Sequence, residues 1–121
     1  MSKKILNYRE LKVWQKGIEL VKTVYLVTRT FPKHELYGLT SQLQRSVVSV
    51  PSNIAEGQTR NSTPDFRRFL FIAQASLSEV DTQIVIAQEL GYIEKEAGTE
   101  IEVQILELRR MIYALINSLP A

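Results

Sequence analysis

Apolar residues recur along this chain at helical spacing. Leu11, Trp14, Ile18, Val21 and Tyr25 are separated by 3, 4, 3 and 4 positions, which marks one face of a helix. Asn7-Tyr8-Arg9-Glu10 ahead of them has the form of a capping box, and Phe31-Pro32 marks the stop, because a residue before proline avoids the helical region. A second stripe, Val13, Leu20, Val24, Val27 and Phe31, runs along the same helix. One stripe suffices in a small bundle, so two predict burial on two sides and a partner.

The second helix is expected to start near Leu36 to Leu39, with core positions Leu36, Leu39, Leu43, Val47, Val50 and Ile54. It is expected to end at Glu56-Gly57, with Gly57 in the left-handed position after the helix. Pro51 lies inside the pattern and predicts a kink. The opposite face reads Gln42, Arg45, Ser46, Ser49, Ser52, Asn53 and Glu56, and its small serines permit close approach of another backbone. Asn53 and Glu56 are expected to bond within or between subunits.

After a polar loop over 58–61, Ser62-Thr63-Pro64-Asp65 combines a hydroxyl cap, an early proline and an acid at the positive end of a helix. The third helix carries Phe66, Phe69, Leu70, Ala73, Leu77, Val80, Ile84 and Ala87 and ends at Gly91; Ile72, Ile86 and Leu90 fall off this stripe and predict broad burial. Thr99-Glu100-Ile101-Glu102 has the form of another capping box, with an earlier start near Lys95 as the alternative. The last face is Ile101, Ile105, Leu108, Ile112, Leu115 and Leu119. Four helices with short connections predict an all-α, antiparallel up-and-down four-helix bundle, one domain over 1–121.

Composition changes this picture little, but charge does. Residues 1–68 hold 12 Lys/Arg and 5 Asp/Glu, a balance of +7, whereas 69–121 hold 3 and 8, a balance of −5. Such asymmetry suits either a nucleic-acid face or attraction between the two halves. No apolar run of signal-peptide length follows Met1-Ser2-Lys3-Lys4, and no uncharged stretch approaches a membrane span, so a cytoplasmic location is expected.

Catalytic signatures are sparse. There is no cysteine, and the one histidine, His34, has no second histidine four residues on, so it reads as an exposed loop residue. Glu79 and Asp81 point to different sides of a helix, Glu100, Glu102 and Glu107 read as facing water, and the five glycines form no phosphate loop. No catalytic residue, metal or cofactor is expected. Arg60, Arg67 and Arg68 form the densest basic cluster, Lys12 and Lys16 make an i, i+4 pair, and Arg45 joins them as a candidate phosphate contact.

Several segments resemble one family in order: Leu11-Lys12-Val13-Trp14-Gln15, Phe31-Pro32, Glu35-Leu36-Tyr37-Gly38-Leu39, Gln42-Leu43-Gln44-Arg45-Ser46, and above all Ser49-Val50-Pro51-Ser52-Asn53-Ile54-Ala55-Glu56-Gly57. Phe69-Leu70-Phe71-Ile72-Ala73, Ser76-Leu77-Ser78-Glu79 and Leu90-Gly91-Tyr92-Ile93 continue it. Over roughly residues 8–93 the chain resembles the bacterial four-helix-bundle proteins encoded in intervening sequences of 23S ribosomal RNA genes. The resemblance implies a ring-shaped homo-oligomer, a pentamer. A related bundle family assists reverse transcriptases and presents a basic surface to nucleic acid. Three readings follow: an oligomeric nucleic-acid (RNA) accessory protein, a protein–protein scaffold recruiting through its acidic rear half, and, without any supporting constellation, a small-molecule enzyme.

Overall fold

Side-chain caps mark the start of the first short turn and of the third long helix. In the computed structural model, which describes residues 7–121, the Asn7 side chain accepts from the backbone N–H of Arg9 at 2.9 Å and Glu10 Oε1 accepts from that of Asn7 at 3.0 Å. The expected box therefore forms, but it closes only a single 3₁₀ turn, Tyr8–Glu10. Leu11 is extended (φ −76°, ψ 129°), so the first long helix, α1, starts at Lys12 and runs Lys12–Thr28. Its end falls three residues before Phe31, where Arg29, Thr30 and Phe31 donate to carbonyls only three positions back.

A second 3₁₀ turn, Lys33–Glu35, leads into α2 (Leu39–Thr59). The Ser62 hydroxyl caps α3 (Thr63–Glu89) by accepting from Asp65 N–H at 3.4 Å. Gly91, with φ 79°, turns the chain out of α3 in the left-handed conformation that glycine adopts without strain. α4 covers Lys95–Ser118, so the earlier of the two expected starts is the observed one and Thr99 lies inside the helix.

α1 packs on α2 and α4, α3 packs on the same two, and the diagonal pairs do not meet among the described residues. Short connections and this ring of neighbours make an up-and-down four-helix bundle. The described residues contain no strand.

The core is one continuous cluster. Leu43, Val47, Val50 and Ile54 from α2 meet Leu70, Ala73, Leu77, Val80 and Ile84 from α3, with Ile101, Ile105, Leu108 and Ile112 from α4. These are the stripes the periodicity marks. Each fully buried Leu or Ile contributes on the order of 1.5–3 kcal/mol relative to exposure.

The two stripes of α1 exchange roles. Val13, Leu20, Val24 and Phe31 are the buried set, with Gly17 and Thr28 completing their face. Leu11, Trp14 and Val21 pack half-buried on the core's edge, and Tyr25 is exposed. Both stripes are thus largely consumed within one chain. The exposed apolar surface lies elsewhere. Ile72, Ile86 and Leu90 are exposed rather than broadly buried, as are Phe71 and Val85 on α3, Val103, Leu106 and Tyr113 on α4, and Leu36 before α2. These extra apolar residues make α3 long and apolar enough to cross a membrane by length and composition, at a mean hydropathy of 1.2 over its best window. Its core stripe is nevertheless spent on the bundle, and Glu79 and Asp81 interrupt it.

Small residues bring α2 against α3 and α1. Ser49 and Ser76 hydroxyls bond across the α2–α3 seam at 2.8 Å, and Asn53 Nδ2 donates to the Ser49 carbonyl (2.8 Å) and hydroxyl (2.9 Å). Asn53 therefore bonds within its own helix. Pro51 sits inside α2, which continues through it, and is buried against Gly17 of α1. Gly57 does not end α2. It lies inside the helix, facing Phe66 and Phe69 of α3, where a Cβ would stand 2.6 Å from the Phe69 Cβ. The left-handed residue of this turn is Asn61, at φ 57°.

Candidate nucleic-acid interface

Alternating helix direction determines which cations meet. The start of α1, the end of α2, the start of α3 and the end of α4 share one end of the bundle. The Tyr8 and Trp14 rings lie 5.7 Å apart there, and Arg67 Nη2 donates to the carbonyls of Leu119 (3.4 Å) and Pro120. Lys12 and Lys16 stand in the first two turns of α1, Arg60 follows the last turn of α2, and Arg67 and Arg68 are in the opening turns of α3. Five of the six expected contacts, Lys12, Lys16, Arg60, Arg67 and Arg68, therefore gather at this end. Arg9 joins them, and the acids beside them include Glu10, Glu56 and Asp65, with Glu19 and Glu107 against Lys16.

Arg45 is not part of the group. It lies in the N-terminal half of α2, on a shallow polar cleft with Gln42, Ser46, Ser49, Glu79 and Gln83, away from the basic end. The positive sequence half is thus not one face. Lys22, Arg29 and Lys33 run along α1 and its exit, toward the other end.

The individual cations are held differently. Arg60 donates from Nε (3.1 Å) and Nη2 (3.0 Å) to one carboxylate oxygen of Glu56, which is half-exposed and engaged in this pair within its own helix. Arg68 pairs with Asp65 at 3.7 Å. Both guanidinium carbons lie over the Phe69 ring, 5.0 Å from its centroid for Arg60 and 4.6 Å for Arg68. A ring face attracts cations through its quadrupole, so Phe69 holds two arginines side by side at the α2–α3 turn. Lys16 bridges to Glu19 (3.9 Å) and to Glu107 of α4 (3.6 Å), while Lys12 is exposed. Surface pairs of this kind are worth about 0–1 kcal/mol and exchange readily for a phosphate.

The apolar spacing predicts only core packing for Phe69. The observable signal for its second role is the run Phe66-Arg67-Arg68-Phe69-Leu70-Phe71, in which aromatic residues flank two arginines.

At the opposite end sits the only histidine. His34 is exposed, as expected of a loop residue, with its ring edge-on to Tyr92 at 6.5 Å. Glu35 does more. Its Oε1 accepts from the Leu39 N–H at 3.1 Å, and its Oε2 accepts from the Tyr92 hydroxyl at 2.9 Å. It thereby ties the start of α2 to the α3–α4 connection. The bond from the Leu39 N–H, then that from Tyr92, lowers the Glu35 pKa below 4.5, and the same carboxylate raises that of Tyr92 above 10.0. Among the described residues no three His, Asp or Glu side chains gather as a metal site would require.

The 23S rRNA-intervening sequence protein family model matches residues 9–114, nearly the whole chain. The chain belongs to this family. A solved protein of unknown function from the S23 ribosomal protein family of Bacteroides thetaiotaomicron VPI-5482 shares the fold, with a TM-score of 0.79 and 24% identity, over 88% of this chain and 96% of that one. No curated protein matches the chain. As an intervening-sequence protein it is a four-helix bundle whose family description names the genetic setting rather than an activity.

Proposed function

We propose that the protein is a non-enzymatic, cytoplasmic, homo-oligomeric bundle that binds structured nucleic acid, RNA foremost, through its basic end. The observation that carries this reading is the convergence of Lys12, Lys16, Arg60, Arg67 and Arg68 on one end through the antiparallel connectivity. Arginines seated on Phe69 keep further N–H donors available for phosphate, since each guanidinium has five and its carboxylate pair uses few. Affinity from such a surface is electrostatic and largely independent of sequence.

Binding of labelled structured RNA and duplex DNA, read by anisotropy across a salt series, tests this. Lys12→Glu with Arg68→Glu replaces two exposed cations, one at the start of α1 and one in the second turn of α3, and leaves the Arg67 tether intact. Two lost phosphate contacts should lower the slope of log K against log salt by about 2 and weaken binding at every salt concentration. An unchanged slope would refute the assignment.

Self-association rests on a second observation, the exposed apolar side chains of α3 and α4: Val85, Ile86, Leu90, Val103, Leu106 and Tyr113. Large apolar side chains left exposed on two neighbouring helices are the raw material of an interaction site. The assembly suggested by the family resemblance is a pentameric ring, which native mass spectrometry would count directly. The scaffold reading shares this surface and differs in needing no nucleic acid. Proteins retained by the pure oligomer after nuclease treatment would favour it.

A further inference from the structure

One turn beyond the arginines, α3 presents a groove lined by Pro64, Arg67, Arg68, Phe71, Ile72 and Ala75. Its volume is about 600 Å³ and its surface is almost wholly apolar. Phe71 is 53% exposed, a large aromatic face left toward solvent because Phe69, Leu70 and Ala73 fill the core stripe of α3. It lies three and four residues after Arg68 and Arg67, so all three share a helix face, separated by ~5.4 Å, one turn. None of the lining residues is acidic.

We propose that this groove takes an unpaired nucleobase of a single-stranded stretch, stacked on Phe71, with the flanking phosphates on Arg67 and Arg68. The inference rests on the nucleic-acid reading above and deepens it by naming the form recognised. A duplex keeps its base faces stacked on one another and has none to offer, whereas a loop, bulge or free strand does. Every base has a π face, so the groove is indifferent to sequence. Ile72, Ala75 and Pro64 exclude water from the stacked base, and the positive rim complements the backbone on either side of it. RNA and DNA single strands present the same chemistry, and the test separates them.

The test measures anisotropy of labelled oligoadenylate, the matching deoxyoligonucleotide, and a blunt-ended, fully paired duplex of equal phosphate number, across a salt series, with parallel light scattering. Phe71→Leu keeps the apolar volume near its present size and removes the π face; Phe71→Tyr retains it. Both lie at an exposed position, so folding is preserved. Phe71→Leu should weaken single-strand binding about 5- to 150-fold with the salt slope unchanged, and leave duplex binding alone. Phe71→Tyr should bind as the parent does. If only one of the two single strands responds, the groove discriminates the sugar and the stacking assignment stands. If the parent binds nucleic acid but Phe71→Leu binds single strands equally well, the stacking assignment is wrong and the basic-end reading survives. If Phe71→Leu instead changes the assembly size with binding intact, a second copy covers the groove and the proposal falls. If the parent binds none of the three probes, the nucleic-acid reading itself fails and takes this inference with it.

Discussion

Replacing Gly57 by alanine sets two effects of similar size against each other. Gly57 is helical and buried, so alanine there gains up to about 1 kcal/mol of helix propensity. Against this, the new methyl would stand 2.6 Å from the Phe69 Cβ, 3.2 Å from Phe66 Cδ1 and 3.4 Å from the Phe66 Cα. Carbon atoms rest comfortably at ~3.5–4.0 Å, so α2 and α3 must separate locally by about 1 Å. No rotamer change relieves the contact, because the Phe69 Cβ is bonded directly to the α3 backbone. Overpacking of this kind costs typically 1–3 kcal/mol. Because nothing can rotate aside, the upper end of that range, about 2–3 kcal/mol, applies, and the net expectation is destabilisation by about 1–2 kcal/mol, read as a lower urea midpoint at constant m-value.

A second variant tells this account from the capping one. Were Gly57 a left-handed cap, Gly57→Asn would be milder than Gly57→Ala, since asparagine tolerates that conformation. In a packed helix the larger asparagine must be worse. A Gly57→Ala protein as stable as the parent, or an asparagine variant milder than the alanine one, would refute the packing argument.

Three further outcomes follow from the geometry. Leu77→Ala, at a fully buried position between helices, should cost about 2–5 kcal/mol in denaturant melts. Glu35 has a folded pKa depressed below 4.5, so its stabilisation is present above the unfolded pKa and is lost as pH falls through the folded value. The difference in Tm between parent and Glu35→Gln should therefore be constant at neutral pH and narrow below about pH 4.5, and a difference unchanged down to pH 2 would refute the linkage. Asn61→Gly should be neutral or slightly stabilising, because it relieves a non-glycine residue at φ 57°, whereas Asn61→Val should cost stability in the same melts.

Much of the architecture is legible in the apolar spacing, and the departures are instructive. α3 and α4 bury the stripes their periodicity marks, and α2 does so except at Leu36, which precedes the helix and is exposed. In α1 the second stripe is the inward one and the first lies at its edge, because the inward face is completed by Gly17 and Thr28, which interrupt the run Val13, Leu20, Val24 that a reader of apolar positions follows. Gly17 is there for Pro51, a relation between two helices that no single-helix pattern contains. Gly57 misleads for the same reason. A glycine after the last apolar residue is as consistent with a cap as with a close helix crossing, and only the presence of Phe69 opposite it decides. The Thr99 box is overruled because α4 already propagates from Lys95, with Gly98 buried against Gln88. Arg67 and Arg68 are visible as neighbours in sequence. That Lys12 and Arg60 join them, and that Arg45 does not, depends on the alternation of helix direction. Phe71 and Ile72 look like core by composition and are surface by rotation, since the core stripe of α3 is already filled by Phe69, Leu70 and Ala73.

The tight seam between α2 and α3 also sets an order of events in time. These two helices follow one another in the chain across only residues 60–62, so their contacts close a short loop at small entropic expense. Their zipped small residues, Ser49 on Ser76 and Gly57 on Phe69, need no other helix to form. The hairpin is therefore the natural nucleus of folding, with α1 and α4 condensing onto it afterwards. Amide hydrogens in the middle of α2 and α3 should be the last to exchange with solvent, and those of α1 and α4 should open first, as a separable layer.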